Sequence, residues 1–127
     1  MPPTKPVPPN YRILLVEDND LLAEITSEQL EGIGCTVAHI APTAEAALDW
    51  LDDGGAVDLV MSDIVMPGMN GVALAVHLSE HRPDVRVLLT TGYGDDLLDE
   101  QCRHYQVLAK PFRSQEMAET IGGLATA

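Results

Sequence analysis

The sequence predicts a doubly wound α/β fold, in which a parallel sheet carries helices on both faces. Short apolar runs alternate along the chain with segments whose apolar residues recur every three or four positions. Five such alternations run from Tyr11 to about residue 124 without internal repeats. Because parallel strands need crossover connections, strands separated by helices favour a parallel sheet covered on both faces.

The length of 127 residues fits one domain. Residues 1–10 hold five prolines and show no core-forming periodicity, so we expect a disordered tail or linker. We place the folded domain at residues 11–124 and a short tail at 125–127.

The first two strand–helix pairs have clear boundaries. Residues 13–16 form a continuous apolar run that is typical of a strand buried on both faces. Asn19 or Asp20 can cap the next helix, which glycines at 32 and 34 end. Strand two is predicted at 36–40, followed by a helix that Thr43 caps. The expected core faces of these helices are Leu22, Ile25, Leu30 and Ile33 in the first, and Ala44, Ala47, Leu48 and Leu51 in the second.

The remaining elements follow the same alternation. Strands three, four and five are predicted at 59–61, 85–89 and 106–109. Pro83 ends the third helix, a short fourth helix lies around 95–102, and Ser114 caps the last helix. The core faces are Gly71, Leu74, Ala75 and Leu78 in the third helix, and Met117, Ile121 and Leu124 in the last. Right-handed crossovers favour the flavodoxin-like sheet order 2-1-3-4-5.

Composition excludes several functions. The net charge of −13, with only seven scattered Lys and Arg residues, argues against binding nucleic acid. The chain has neither an apolar run long enough for a membrane span nor a signal-peptide pattern. Cys35 and Cys102 form no metal-like spacing and are interpreted as reduced, structural thiols, so we expect a cytoplasmic protein.

Polar residues stand where the predicted strands end. Glu17 and Asp18 follow strand one, Asp63 follows strand three, Thr91 follows strand four and Lys110 follows strand five. Ligands of doubly wound sheets bind at the carboxyl ends of the strands, so these side chains should converge. Crowded carboxylates repel one another unless a cation joins them, and a hard ion such as Mg²⁺ suits oxygen ligands with positions left open for water or phosphate.

In this order the motifs resemble those of response-regulator receiver domains in two-component signal transduction. They are the pair Glu17-Asp18, the single Asp63, the run Met66-Pro67-Gly68-Met69-Asn70-Gly71, Thr91-Gly92 and Lys110-Pro111-Phe112. The resemblance covers residues 11 to about 124. Each motif is weak alone, whereas together at strand ends they are specific.

The resemblance implies a role for each matching position. Asp63 would accept a phosphoryl group, while Thr91 and Lys110 would contact the phosphoryl oxygens. Asp18, Asp63 and the backbone carbonyl of Val65 would bind Mg²⁺ directly, with Mn²⁺ able to substitute, and Glu17 would act largely through water. Pro111 would follow a cis peptide bond that directs the lysine. Phosphoryl transfer needs mainly positioning and charge neutralisation, which this set of residues supplies.

Three positions depart from the family pattern. Val65 and Tyr93, two residues past the acceptor and the threonine, carry no group that could orient an attacking water, so we expect slow self-dephosphorylation. Val107 occupies the position of the aromatic residue that often rotates with the switch. The short stretch from Thr91 to Lys110 implies a truncated or irregular fourth helix, and whether this region is the output face remains open.

Other interpretations of the motifs fit less well. His77 and His81 match an H-x-x-E-H zinc motif, but they lie on the flank of a helix and are interpreted as solvated. A haloacid-dehalogenase-type enzyme would place an Asp-x-Asp nucleophile after strand one, where this chain has the acidic pair. A flavin-binding flavodoxin needs a phosphate-cradling loop there, and its purified protein would be yellow.

The expected partners are other proteins. A histidine kinase or a histidine phosphotransfer protein would supply the phosphoryl group, and the product would switch binding of an unknown partner or pass the phosphate onward. The protein would be a signalling switch rather than an enzyme, without an effector domain, and a monomer or weak dimer. A stand-alone regulator and a receiver excised from a hybrid kinase both remain open.

Overall fold

A computed structural model describes residues 7–92 and 104–126. Within these ranges the elements are β1 (Arg12–Val16), α1 (Asp20–Gly32), β2 (Thr36–Ala41), α2 (Ala44–Asp52), β3 (Leu59–Asp63), α3 (Gly71–His81), β4 (Arg86–Thr91), β5 (Gln106–Ala109) and α4 (Ser114–Ala125). The helix predicted around 95–102 lies outside the described residues.

The five strands form one parallel sheet in the order β2-β1-β3-β4-β5, which confirms the predicted flavodoxin-like topology. Strands β3 and β4 both extend further than predicted, to Asp63 and Thr91. The extension has a structural reason, because the register pairs Asp63 with Thr90 at the last step of the β3–β4 ladder. Asp63 and the two threonines that end β4 are therefore part of the sheet rather than of the loops that follow it.

Side chains cap the helices where the sequence places short polar residues. Asn19 accepts a hydrogen bond from the amide of Leu22, and Thr43 accepts one from Ala46, at 3.0 Å each. Ser114 was expected to cap the last helix, but this prediction is wrong, because Ser114 is already its first helical residue and Arg113 is the cap. The carboxylate of Glu116 accepts from the amide of Arg113 at 3.1 Å and satisfies that helix end.

Apolar side chains cover both faces of the sheet. The first cluster contains Ile13, Leu15 and Met61 and packs against α1 and α4, whereas the second contains Leu14 and Val60 and packs against α2 and α3. A smaller third cluster contains Ile64 and Leu89. The predicted core face of α3 is confirmed, since Gly71, Leu74, Ala75 and Leu78 are all buried. In α4, Met117 and Ile121 are buried as predicted, whereas Leu124 is only partly buried against the first cluster.

The predicted core face of α1 is partly wrong. Leu22 and Ile25 are 40% and 46% exposed, whereas the buried residues of this helix are Ala23, Thr26 and Leu30. Two stripes at helical spacing overlap in α1, and the stripe with smaller residues faces the sheet. This leaves large apolar side chains of α1 in solvent.

The structure also describes the residues just before β1 and the environment of Cys35. Val7 packs against the first core cluster, and the amide of Tyr11 donates to the carbonyl of Pro8 at 3.3 Å, so residues just before β1 contact the domain. Cys35 is buried, and burial raises the pKa of its thiol to about 11. Among the described residues, no helix is long and apolar enough to cross a membrane.

Candidate metal and phosphoryl site

The carboxyl ends of β1, β3, β4 and β5 bring the predicted polar residues to one edge of the sheet. Glu17 directly follows β1, Asp63 ends β3, and Lys110 directly follows β5. Glu17 and Asp63 are 4% and 9% exposed, so their carboxylates lie below the surface. Parallel strands place their ends at a common edge, and this geometry explains the convergence of residues distant in sequence.

Three carboxylates at this edge are arranged as a metal site would require. Glu17, Asp18 and Asp63 each offer one oxygen, and these oxygens all lie within 4.8 Å of one another. Asp18 is exposed, so one side of the group faces solvent. Oxygen donors with an open side suit Mg²⁺, which keeps several waters in protein sites. The residues present therefore fit the expected ion.

Lys110 supplies the positive charge within the group. Its ammonium donates to Glu17 Oε1 at 2.9 Å and lies 2.5 Å from Asp63 Oδ1. Burial alone would lower the pKa of Lys110, but its hydrogen bonds to Asp63 and Glu17 outweigh burial and raise that pKa. The lysine is therefore charged at neutral pH and holds two buried carboxylates together.

Glu17 has the most perturbed carboxyl group of the cluster. Its burial, reinforced by the nearby Asp63 carboxylate, raises the pKa of Glu17 to about 7, against an ordinary value of 4.5. The hydrogen bonds from Lys110 and from the Asn19 amide oppose this rise without cancelling it. Without a metal ion, Glu17 thus binds a proton near neutral pH.

The structure adds a residue to the predicted set. Thr90 donates its hydroxyl to Asp63 Oδ1 at 2.6 Å, and Thr90 is 3% exposed. Sequence reasoning singled out its neighbour Thr91, which is also buried at the end of β4. The signal that could have found Thr90 is strand register, because residues paired across parallel strands present their side chains on the same face.

The loop after Asp63 is held from two sides. The amide of Gly71 donates to the carbonyl of Ile64 at 2.9 Å, and the carboxylate of Glu45 accepts from the amide of Met69 at 3.2 Å. Val65, whose carbonyl was expected to bind the metal, has a side chain that is 63% exposed. Hydrogen bonds therefore anchor the loop on both sides of Val65.

The remaining positions singled out in the sequence lie near the lysine after β5 or in the segment before that strand. The Lys110–Pro111 peptide bond is cis, as the resemblance implied. Val107 and Tyr105 are both partly buried against the cluster that contains Ile64 and Leu89. Tyr93 lies outside the described residues.

The histidine pair on α3 does not join a metal site. The rings of His77 and His81 stack with centroids 4.2 Å apart, and the His81 ring contacts the His77 carbonyl through Nδ1 at 2.9 Å. Within residues 7–92 and 104–126, the cluster of three potential metal ligands is Glu17, Asp18 and Asp63 instead. This agrees with the interpretation of the pair as a solvated helix flank.

The fold and the site together define a doubly wound domain with a group of carboxylates and a lysine at the carboxyl ends of its strands. Comparison with known proteins makes the class specific: residues 13–122 match the family described as the response regulator receiver domain. The chain belongs to this family of two-component signalling switches.

Individual relatives agree with this assignment. Response regulator receiver protein CpdR of Brucella abortus (strain 2308) is 32% identical over 113 residues, which cover 87% of this chain and 92% of CpdR. Sensor kinase CckA of the same organism is 34% identical over 113 residues, covering 86% of this chain. The chain spans only 12% of CckA.

One relative has been solved in complex with a ligand. Response regulator TrrA of Thermotoga maritima, in complex with Mg(2+)-BeF, has a TM-score of 0.80 and 30% sequence identity to this chain. The similarity covers 89% of this chain and 97% of TrrA.

Proposed function

We propose that this receiver domain accepts a phosphoryl group on Asp63, in a Mg²⁺-dependent reaction, from a histidine kinase or a histidine phosphotransfer protein. The observation that carries the proposal is the meeting of Asp63 with Lys110 and with two further carboxylates whose oxygens lie within 4.8 Å. Such a set can neutralise the charge of an incoming phosphoryl group and position its acceptor.

Each residue has a proposed task in the transfer. Asp18, Asp63 and the Val65 carbonyl would bind the ion directly, and Glu17 would hold it through water. A bound Mg²⁺ would neutralise charge on the phosphoryl oxygens. An oxygen of Asp63 attacks phosphorus as the donor's bond to phosphorus breaks, while Lys110 and Thr91 contact the phosphoryl oxygens. The Mg(2+)-BeF bound by the relative TrrA supports this use of the site.

The same proposal covers the consequences of phosphorylation. The domain, residues 11–124 with residues 1–10 as tail or linker, would switch binding of a protein partner or pass the phosphate onward. We expect a cytoplasmic monomer or weak dimer that does not bind nucleic acid, consistent with a net charge of −13. Mn²⁺ would also be able to serve in place of Mg²⁺. The exposed, apolar side chain of Val65 cannot orient water, which supports slow dephosphorylation.

Asp63→Asn is expected to abolish phosphorylation. Wild type incubated with acetyl phosphate and Mg²⁺ should gain the mass of one phosphoryl group, whereas the variant should gain none because an amide is not a competent nucleophile. Intact-mass spectrometry with peptide mapping checks this. Asp58→Asn, which alters an exposed carboxylate outside the site, is the matched control and should react as wild type does. Phosphate on another residue of wild type would refute the proposal.

Metal affinity should depend on pH through Glu17. Because the pKa of Glu17 is raised to about 7, Mg²⁺ must displace a proton at lower pH. The apparent dissociation constant should therefore be about tenfold higher at pH 6 than at pH 8. Calorimetric titration measures it, and Glu17→Gln should flatten the pH dependence. An affinity that stays constant over this range in wild type would contradict the role of Glu17.

The raised pKa of Glu17 also makes the stability of the metal-free protein depend on pH. This stability falls as pH rises, whereas the affinity for Mg²⁺ increases. A carboxyl group whose pKa rises on folding stabilises the fold below its ordinary pKa, and this contribution is lost as pH rises through the folded value. For Glu17 that window runs from about 4.5 to about 7. Mg²⁺ should therefore stabilise the fold most at the upper end of the window.

A further inference from the structure

We infer that the Thr90 hydroxyl stabilises the Asp63 carboxylate that forms during hydrolysis and so shortens the lifetime of the phosphorylated state, an inference that rests on Asp63 being the phosphoacceptor as proposed above. Thr90 lies beside Asp63 because the β3–β4 register pairs the two residues. Its hydroxyl donates to Asp63 Oδ1 at 2.6 Å, and both residues are buried. A short hydrogen bond from a hydroxyl to an ionised carboxylate is among the stronger ones in proteins.

The contact divides the two oxygens of Asp63 between different tasks. Thr90 and Lys110 both contact Oδ1, which leaves Oδ2 outside this pair of interactions. The inference assigns Oδ2 as the oxygen that bonds to phosphorus. In the acyl phosphate, Oδ1 becomes the carbonyl oxygen. Lys110 then has phosphoryl oxygens to contact, whereas Thr90 is fixed within β4 and stays on Oδ1.

The strength of the Thr90 hydrogen bond changes along the reaction. During hydrolysis a water oxygen bonds to phosphorus as the bond from Oδ2 to phosphorus breaks. The electron pair of that bond returns to the carboxylate, and the water's protons pass to the released phosphate and to solvent. Negative charge thus develops on the Asp63 carboxyl group in the transition state and is shared with Oδ1. A donor on Oδ1 stabilises the transition state more than the acyl phosphate and so accelerates phosphate loss.

This role differs from that of Thr91. Thr90 pairs with Asp63 across the β3–β4 ladder, so its side chain faces the acceptor carboxylate itself. Thr91 is proposed to contact the transferred phosphoryl group itself. Removing the Thr90 hydroxyl should therefore prolong the phosphorylated state, whereas loss of a phosphoryl contact should impair its formation.

The test compares the lifetimes of phosphorylated wild type, Thr90→Val and Thr90→Ser. Valine keeps the shape of threonine in a buried strand, and serine keeps the hydroxyl. Each protein is phosphorylated with acetyl phosphate and Mg²⁺, freed of donor and followed by intact-mass spectrometry. Thr90→Val should lose phosphate about tenfold more slowly than wild type, which corresponds to about 1.4 kcal/mol in the barrier. Thr90→Ser should stay close to the wild-type rate.

The outcomes separate this inference from the function on which it rests. Wild type that gains no phosphate on Asp63 would overturn the proposed function. Phosphorylated wild type with an equal lifetime in Thr90→Val, or with Thr90→Ser as slow as Thr90→Val, would overturn the role of Thr90 alone. Thr120→Val is the matched control, because the Thr120 hydroxyl donates to the Glu116 carbonyl within α4, away from the site. Its lifetime should equal that of wild type, and a change of similar size would also overturn the inference.

Discussion

Replacing Lys110 with methionine should destabilise the metal-free protein by about 3 kcal/mol and slow phosphorylation by about 10²-fold. The lysine ammonium contacts both Glu17 Oε1 and Asp63 Oδ1. Its removal leaves the Asp63 carboxylate buried beside Glu17 without its cation, and an uncompensated buried charge is costly. The stability figure lies at the low end for a broken buried pair because 21% of the lysine side chain reaches solvent.

The two effects of the Lys110 substitution can be measured separately. Thermal unfolding in chelator should show a melting temperature lower by about 10 °C, and added Mg²⁺ should recover part of this loss because the ion replaces the missing charge. Intact-mass kinetics with acetyl phosphate reports the second effect. Arg113→Met removes the same charge from an exposed side chain and serves as the control. Wild-type stability in chelator would contradict the ion pairs described for Lys110.

Replacing Gly71 with alanine should cost about 3 kcal/mol and also impair the site. A Cβ atom at position 71 would lie 2.1 Å from the carbonyl oxygen of Asp63 and 3.0 Å from the Cα of Ile64. These are backbone atoms at the end of β3, so they cannot move aside as a flexible side chain could. Either α3 or the backbone of Asp63 must shift, and a displacement of about 1 Å can reduce a rate by about 10²-fold.

A second glycine of the chain provides the control for Gly71. Gly123 lies within α4, and a Cβ added there would meet nothing within 4 Å. Gly123→Ala should therefore be neutral or stabilise the protein by up to about 1 kcal/mol, because glycine is a poor helix former. Denaturant unfolding and phosphorylation rates measure both variants. Equal behaviour of Gly71→Ala and Gly123→Ala would show that the close approach to Asp63 is not a constraint.

Much of the fold and of the carboxylate cluster could be predicted from local sequence patterns. These patterns locate the strands, and the ends of parallel strands lie at one edge of the sheet. Buried parallel strands appear as apolar runs, so the residues that end them could be located. Asn19 and Thr43 were correctly predicted as possible caps because capping depends on a residue and the amides three positions later. The convergence of Glu17 and Asp63 then follows from the general geometry of parallel sheets.

The missed features depend on contacts between elements, which periodicity does not encode. In α1 two stripes compete, and only packing against the sheet selects Ala23 and Thr26 over the larger Leu22 and Ile25. The contact between Thr90 and Asp63 depends on the register between β3 and β4, which the apolar pattern of either strand alone does not determine. Arg113 caps α4 because Glu116 satisfies its amide, an arrangement that a preference for serine caps does not predict.

Metal-dependent labelling of Asp63 tests most directly whether a cation among Glu17, Asp18 and Asp63 prepares the acceptor. Wild type and Asp18→Asn are incubated with acetyl phosphate over a range of Mg²⁺ concentrations, including excess chelator, and the modified peptide is quantified. We expect no labelling of Asp63 in chelator, and we expect Asp18→Asn to need at least about tenfold more Mg²⁺ for half-maximal labelling, since a direct ligand is lost. Equal labelling of Asp63 with and without the ion would contradict a metal-assisted phosphoacceptor.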